Sequence, residues 1–168
     1  MSIDLQQLLS VRHIRPRISL SSKKRLLECA AGLLYDAIEP LIGTDADESL
    51  SMLTYEALLV RERLGSTGLG HGIAIPHARL PILDHPILAV ITLSEAIDFD
   101  ASDRQPVDLI FAIAVPEKSA THHLQLLSAL ATLLRDKAIA TELRQLESAE
   151  ALQQLIVQQL QRLQEPDH

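Results

Sequence analysis

The stretch VDLIFAIAV, Val107 to Val115, shows no alternation of apolar with polar residues and is rich in β-branched side chains. A strand with one face in water alternates, whereas a strand covered on both faces reads as one apolar run. The segment ILAVITL, Ile87 to Leu93, has the same character. Two such runs imply a central sheet with a layer on each side.

Working outward, the residues after Pro116 show helical patterns over Ala120 to Arg135, Lys137 to Leu146 and Ala149 to Leu163, with Ser148 as a cap for the last. The tail, Gln164 to His168, is expected to fray. Toward the N-terminus, Ile3 to Leu9 suggests a short helix. An extended segment follows from His13 to Ile18, where Pro16 disfavours helix. Ser21 or Ser22 can cap a helix whose apolar positions are Leu27, Ala31, Leu34 and Ile38, and which Pro40 and Gly43 should close. Asp47 or Ser49 can cap the next, with Leu50, Leu53, Ala57, Val60 and Leu64 on one stripe and Gly65 as terminator. The segments near His77 and Ile87 are too closely spaced for a crossover connection, which argues for a mixed sheet. The expected fold is a single α/β domain over residues 1–168, a central mixed β-sheet flanked by helices on both faces.

Composition narrows the function. The chain has 168 residues, 47% of them hydrophobic, enough to build one core. A formal net charge of −7 argues against binding nucleic acid, whose partners concentrate basic residues. With no Trp, 2 Phe and 2 Tyr, there is little to stack on bases or sugars. The longest apolar run, Leu109 to Val115, is far short of the about 20 residues that cross a bilayer as helix, so no membrane insertion is expected. Residues Met1 to Ser10 lack the basic and apolar regions of a signal peptide, which points to a cytoplasmic location. The single cysteine, Cys29, sits among Leu26, Leu27 and Ala30 and reads as a buried small hydrophobe.

The least generic segment is GSTGLGHGIAIP, Gly65 to Pro76, whose glycines let backbone amides approach a ligand without Cβ obstruction. Seven histidines occur, at 13, 71, 77, 85, 122, 123 and 168. His77 stands apart. It follows the glycine-rich loop, the β-like segment Ile73 to Ile75, and Pro76, an arrangement that would hold an imidazole beside backbone amides. Neutral imidazole attacks phosphoryl groups and also leaves them readily, so a histidine suits reversible relay of phosphate. His122 and His123 fall in the first turn of the helix after Pro116, where the helix dipole favours an anion. His123 precedes Leu127, Leu130 and Leu134 at helical spacing, which aims it at the interior. The alternative is a satisfied core residue at 123 and a solvent-facing one at 122.

The segment RERLGSTGLGHGIAIPHARL, Arg61 to Leu80, resembles the signature of type-2 IIA domains of the phosphotransferase system, the fructose, mannitol and nitrogen-regulatory group. The resemblance places the phosphorylated residue on His77 and a second site histidine on His123, by the HLQ in HHLQLL. It also places the active-site arginine on Arg61, whose forked donors can neutralise phosphate. Taken alone, Arg61 beside Glu62 and Arg63 would be a solvated helix charge. Ser66, Thr67, Gly68 and Gly70 are candidate phosphate-binding residues, with capping or turn chemistry the other account of the hydroxyls. The segment SSKKRLLE, Ser21 to Glu28, resembles the opening of the first long helix in the nitrogen-regulatory branch, and no stretch is left for a fused IIB or IIC module. The resemblance therefore implies a stand-alone regulator that needs no metal or cofactor. It would accept phosphate from an HPr-like carrier of the NPr type and act on target proteins, among them potassium transport or kinase proteins. Rival readings are a sugar-specific IIA component feeding a IIB partner, a metal-binding hydrolase using His71, His77 and the His122/His123 pair, and a non-covalent interaction module. The histidine spacings match no common zinc signature.

Overall fold

The computed structural model describes residues 3–42, 48–118 and 120–164. The elements in chain order are α1 (Leu5–Leu8), a 3-10 turn (Val11–His13), β1 (Ile14–Ile18), α2 (Lys23–Ile42), α3 (Glu48–Arg63), β2 (Gly68–Gly70), β3 (Ile73–Ala74), β4 (His77–Leu80), β5 (Ile87–Ile97), β6 (Val107–Pro116), α4 (Ala120–Arg135), α5 (Lys137–Gln145) and α6 (Ala149–Gln164). The sheet runs β1-β5-β6-β3-β2, with β4 also paired to β6. It is mixed. β5 and β6 are antiparallel, while β3 and β4 both lie parallel to β6, placing Ile73 opposite Leu109 and His77 opposite Ile113.

The apolar run in β6 resolves into two faces once the pleat is imposed. Leu109, Phe111, Ile113 and Val115 join Leu126, Leu130, Leu143, Leu152 and Ile156 of α4, α5 and α6 in one buried cluster. Ile110, Ala112 and Ala114 join Leu27, Leu34 and Ile38 of α2 and Leu58 of α3 in the other. Helices therefore cover both faces of the mixed sheet. Among the described residues no helix is long and apolar enough to cross a membrane.

Several local expectations need correction. Pro40 lies inside α2 instead of closing it. It falls in the last turn, so the missing N–H costs a bond where the helix is ending anyway. Gly43 and Asp47 lie outside the described residues, as does the side chain of Ser49. Ser22 caps α2, its hydroxyl accepting the Arg25 amide at 3.2 Å. Gln164 belongs to α6, and its side-chain oxygen accepts the amide of Ile3 at 2.7 Å; residues 165–168 lie outside the described set. Cys29 is half-buried at the edge of the α2 core.

The largest correction concerns α3. Its buried face is Leu50, Thr54, Leu58 and Glu62, spaced four apart. Of the expected core stripe, Leu53, Val60 and Leu64 are 42%, 56% and 82% exposed. The polar members of the buried face have partners that make burial tolerable. Thr54 donates to the Leu50 carbonyl at 2.9 Å. Glu62 accepts the Thr67 amide at 3.0 Å and the Lys23 ammonium at 3.1 Å.

Candidate functional site

Strand β4 alternates: Ala78 and Leu80 point into the core, and His77 and Arg79 point away from it. Pro76 separates β3 from β4 without breaking their shared partnership with β6, because its carbonyl still accepts the Ile113 amide at 2.9 Å. His77 thus sits at a short interruption in an otherwise paired edge, rigidly held on the backbone side.

Its ring is fixed at both nitrogens. Nδ1 lies 2.9 Å from the Ile75 carbonyl oxygen, which can only accept, so Nδ1 carries the proton. Nε2 faces the Arg61 Nε–H at 3.1 Å, which can only donate, so Nε2 holds the lone pair. Both contacts select one tautomer. Arg61 comes from the last turn of α3, and its Nη1 donates to the Gly65 carbonyl at 2.8 Å.

His123 enters from the first turn of α4 and is only 5% exposed. Its Nδ1 accepts from Arg79 Nε at 3.3 Å, which leaves the proton on Nε2. That buried N–H has no hydrogen-bond partner among the described residues. An unmade bond of this kind costs about 1–3 kcal/mol, which marks a site where something else is expected to bind. The rings of His77 and His123 meet edge to face, 5.3 Å between centroids.

Both imidazoles are held neutral. Burial pushes the His77 pKa down, the Ile75 carbonyl acts against it, and the Arg61 guanidinium adds to the depression. His123 is pushed down to about 4, by burial first and then by His77, Arg79 and Arg61. A neutral ring whose Nε2 lone pair is engaged only by Arg61 therefore stands beside a neutral ring whose Nε2–H has no partner among the described residues. The pair opens into a cavity of about 540 Å³ whose opposite wall is the exposed apolar stripe of α3, Leu53, Val60 and Leu64.

The fold brings together Arg61, His77 and His123. The glycine-rich segment reaches them only through the carbonyls of Gly65 and Ile75: Ser66, Thr67, Gly68 and Gly70 are absent from the walls of this cavity. Thr67 commits its amide and hydroxyl to the Glu62 carboxylate. Ser66 Oγ accepts the Gly68 amide at 3.1 Å. Gly68 is packed so tightly on Ala101 that a Cβ would come within 2.8 Å of the alanine methyl. Gly70 lines a different cavity together with His71. His71 therefore does not join His77 and His123, and His85 pairs with Asp84. The side chain of His122 lies outside the described residues. Two contributors escape the sequence reading. Arg79 could have been found from strand periodicity, two residues beyond His77 on one face. Nothing local marks Glu62, a buried carboxylate that ties α3 to the loop.

Residues 7–159 match the family described as "Phosphoenolpyruvate-dependent sugar phosphotransferase system, EIIA 2". The chain belongs to this family of phosphotransferase-system IIA components. It is 41% identical over 155 residues to a protein of Pseudomonas aeruginosa named nitrogen regulatory protein, spanning 92% of this chain and 96% of that one. It is 37% identical over 142 residues to a fructose-specific EIIA component of Haloferax volcanii, spanning 84% of this chain and 89% of that one. Among solved structures, the nitrogen regulatory protein IIA-Ntr from Neisseria meningitidis superposes with a TM-score of 0.79 at 37% identity, covering 90% of this chain and 98% of that one.

Proposed function

We propose that His77 accepts a phosphoryl group on Nε2 from the phosphohistidine of an HPr-like carrier of the NPr type, and that the protein regulates its partners by its phosphorylation state. One observation carries this reading: the ring of His77, with its lone pair on Nε2, meets edge to face the ring of His123, whose buried Nε2–H has no partner among the described residues. A phosphoryl oxygen on His77 would supply the acceptor that His123 lacks.

In the step, the Nε2 lone pair attacks phosphorus as the bond from phosphorus to the donor imidazole breaks, and the donor ring keeps the electron pair. One imidazole displaces another, so no proton has to move. Arg61 releases Nε2 before attack and then turns its guanidinium to the phosphoryl oxygens, while Arg79 holds His123 in the donating tautomer. Positioning and charge stabilisation are the terms that dominate such transfers. The apolar stripe of α3 beside the histidines gives the carrier a surface to dock on. Added phosphate offsets the cationic charge that Arg61 and Arg79 give this cleft, a change that targets can read. Relatives named nitrogen regulatory protein support a regulatory role, and the family resemblance implies potassium transport or kinase proteins among the targets. The fructose-specific relative favours a second reading, in which the same phosphohistidine passes its group to a sugar IIB partner.

The test is uptake of acid-labile phosphate from phosphorylated carrier. Wild type should take one equivalent and His77→Ala none; an alanine variant that is still fully labelled would refute the assignment. Transfer onward to IIB partners separates the two readings.

A further inference from the structure

A second cavity, of about 410 Å³, opens where the β2–β3 hairpin meets α4 and α5. It shares elements with the histidine site but not walls. Ile73 lies four residues before His77, and Leu134 lies eleven residues along α4 from His123, which is about 16 Å at helical rise. Ile73, Leu134 and Ala140, all buried, form its apolar floor.

The rim is cationic in a chain whose net charge is −7. Arg135 and Lys137 stand exposed on it, and among the described residues neither has an ion-pair partner. Arg144 completes the rim and is held in place. Its Nε donates to Asp108 at 2.8 Å and its Nη2 to the His71 carbonyl at 2.6 Å. Gly72 makes that geometry possible: its φ is +82°, and a Cβ would fall 2.7 Å from the guanidinium. Among the described residues no carboxylate lines the cavity. Neighbouring acids are engaged elsewhere, Asp108 by Arg144, Asp103 by the amides of His71 and Gln105, and Asp136, between the two exposed cations in sequence, by the amides of Ala138 and Ile139. An apolar floor under unpaired cations, in a volume at the lower end of the about 300–1,000 Å³ typical of ligand sites, fits one kind of molecule.

We infer that this cavity binds a small amphipathic anion, a short apolar body carrying a phosphate or carboxylate head. The head meets Arg135, Lys137 and Arg144, and the body covers Ile73, Leu134 and Ala140. This site is independent of the phosphoryl chemistry at His77.

Amide shifts in an NMR titration of the whole chain with hexyl phosphate, hexanoate and hexylammonium test it. Either anion should move the amides of Gly70, Ile73, Ala140 and Thr141, and added sodium chloride should weaken the effect. The relative affinity of the two anions assigns the head group. Hexylammonium should leave those amides in place. Arg135→Gln with Lys137→Gln changes two exposed side chains, so the protein stays folded, and binding should weaken by about tenfold or more. His77→Ala should bind as wild type does, which keeps this test separate from that of phosphoryl transfer. Equal shifts with hexylammonium, shifts centred on the His77 cavity, undiminished binding by the double variant, or no response to either anion would each overturn the assignment.

Discussion

Helices α3 and α4 are both 16 residues long, both flank the sheet, and each lends one residue to the site around His77. They deliver those residues in opposite ways. Helix α4 buries its apolar stripe, Leu126, Leu130 and Leu134, and offers His123 from its first turn. Helix α3 buries Leu50, Thr54, Leu58 and Glu62, leaves Leu53, Val60 and Leu64 in solvent, and offers Arg61 from its last turn. Apolar periodicity specifies a helix and a stripe. Which stripe is covered depends on the polar residues opposite, and in α3 these satisfy themselves inside the protein. An apolar stripe left uncovered next to a reactive group is surface available to a partner.

The comparison is broken most forcefully by truncating one leucine of α4 and the leucine that directly follows α3. Leu130 is fully buried, so Leu130→Ala should cost about 2–5 kcal/mol of stability in urea denaturation, from lost transfer energy and the cavity left behind. Leu64 is 82% exposed, and Leu64→Ala should move stability by no more than about 0.5 kcal/mol. Its effect should appear in phosphoryl transfer, as a higher carrier concentration for half-maximal rate with the maximal rate retained. Equal destabilisation by the two substitutions would mean that the α3 stripe is core after all.

Much of the architecture was legible because its signals are local. Pro116 and Ser148 punctuate this part of the chain, and the three observed helices begin where the sequence places them. The continuous run at Val107 to Val115 reads as a strand covered on both faces because that is what both core clusters require. The reading failed where an answer depends on a partner distant in sequence. Burial of Glu62 rests on Lys23, 39 positions away by their residue numbers, so no pattern within α3 could turn the helix the right way. The same holds for the site. His77 and Arg79 share a face by strand alternation, but the Arg79 bond to His123 joins residues 44 apart and exists only in the fold. The glycines marked the loop for their freedom near a ligand; the fold uses Gly68 to admit Ala101 instead.

A finer test asks whether α4 supplies chemistry as well as packing. Replacing His123 by Ala removes the unpartnered N–H and the ring that Arg79 orients, while the His77 tautomer remains fixed by Ile75 and Arg61. Loss of one preorganised donor to developing charge typically costs about 10²–10³ in rate, and transfer onto His77 should slow by that order. Deleting a donor without a protein partner offsets part of the cavity cost, so the loss of stability should stay below that of Leu130→Ala. Unslowed single-turnover transfer in rapid-quench experiments would reduce His123 to a core residue.

The smallest effect separates the two helices by pH. The folded protein holds the His123 pKa at about 4 against an ordinary 6.5, and the His77 pKa is lowered as well. Between those values the unfolded chain takes up protons that the folded state refuses, so stability rises with pH across this window. The contribution is undiminished above the ordinary histidine range and is lost as pH falls toward 4. His123→Gln should flatten the dependence of unfolding free energy on pH by up to about one proton between these limits. Leu64→Ala on α3 should leave the slope unchanged, since it alters neither ring nor its burial. A His123→Gln slope equal to that of wild type would mean that the imidazole is already charged in the folded protein, and it could not then accept from Arg79 while offering Nε2–H to phosphate.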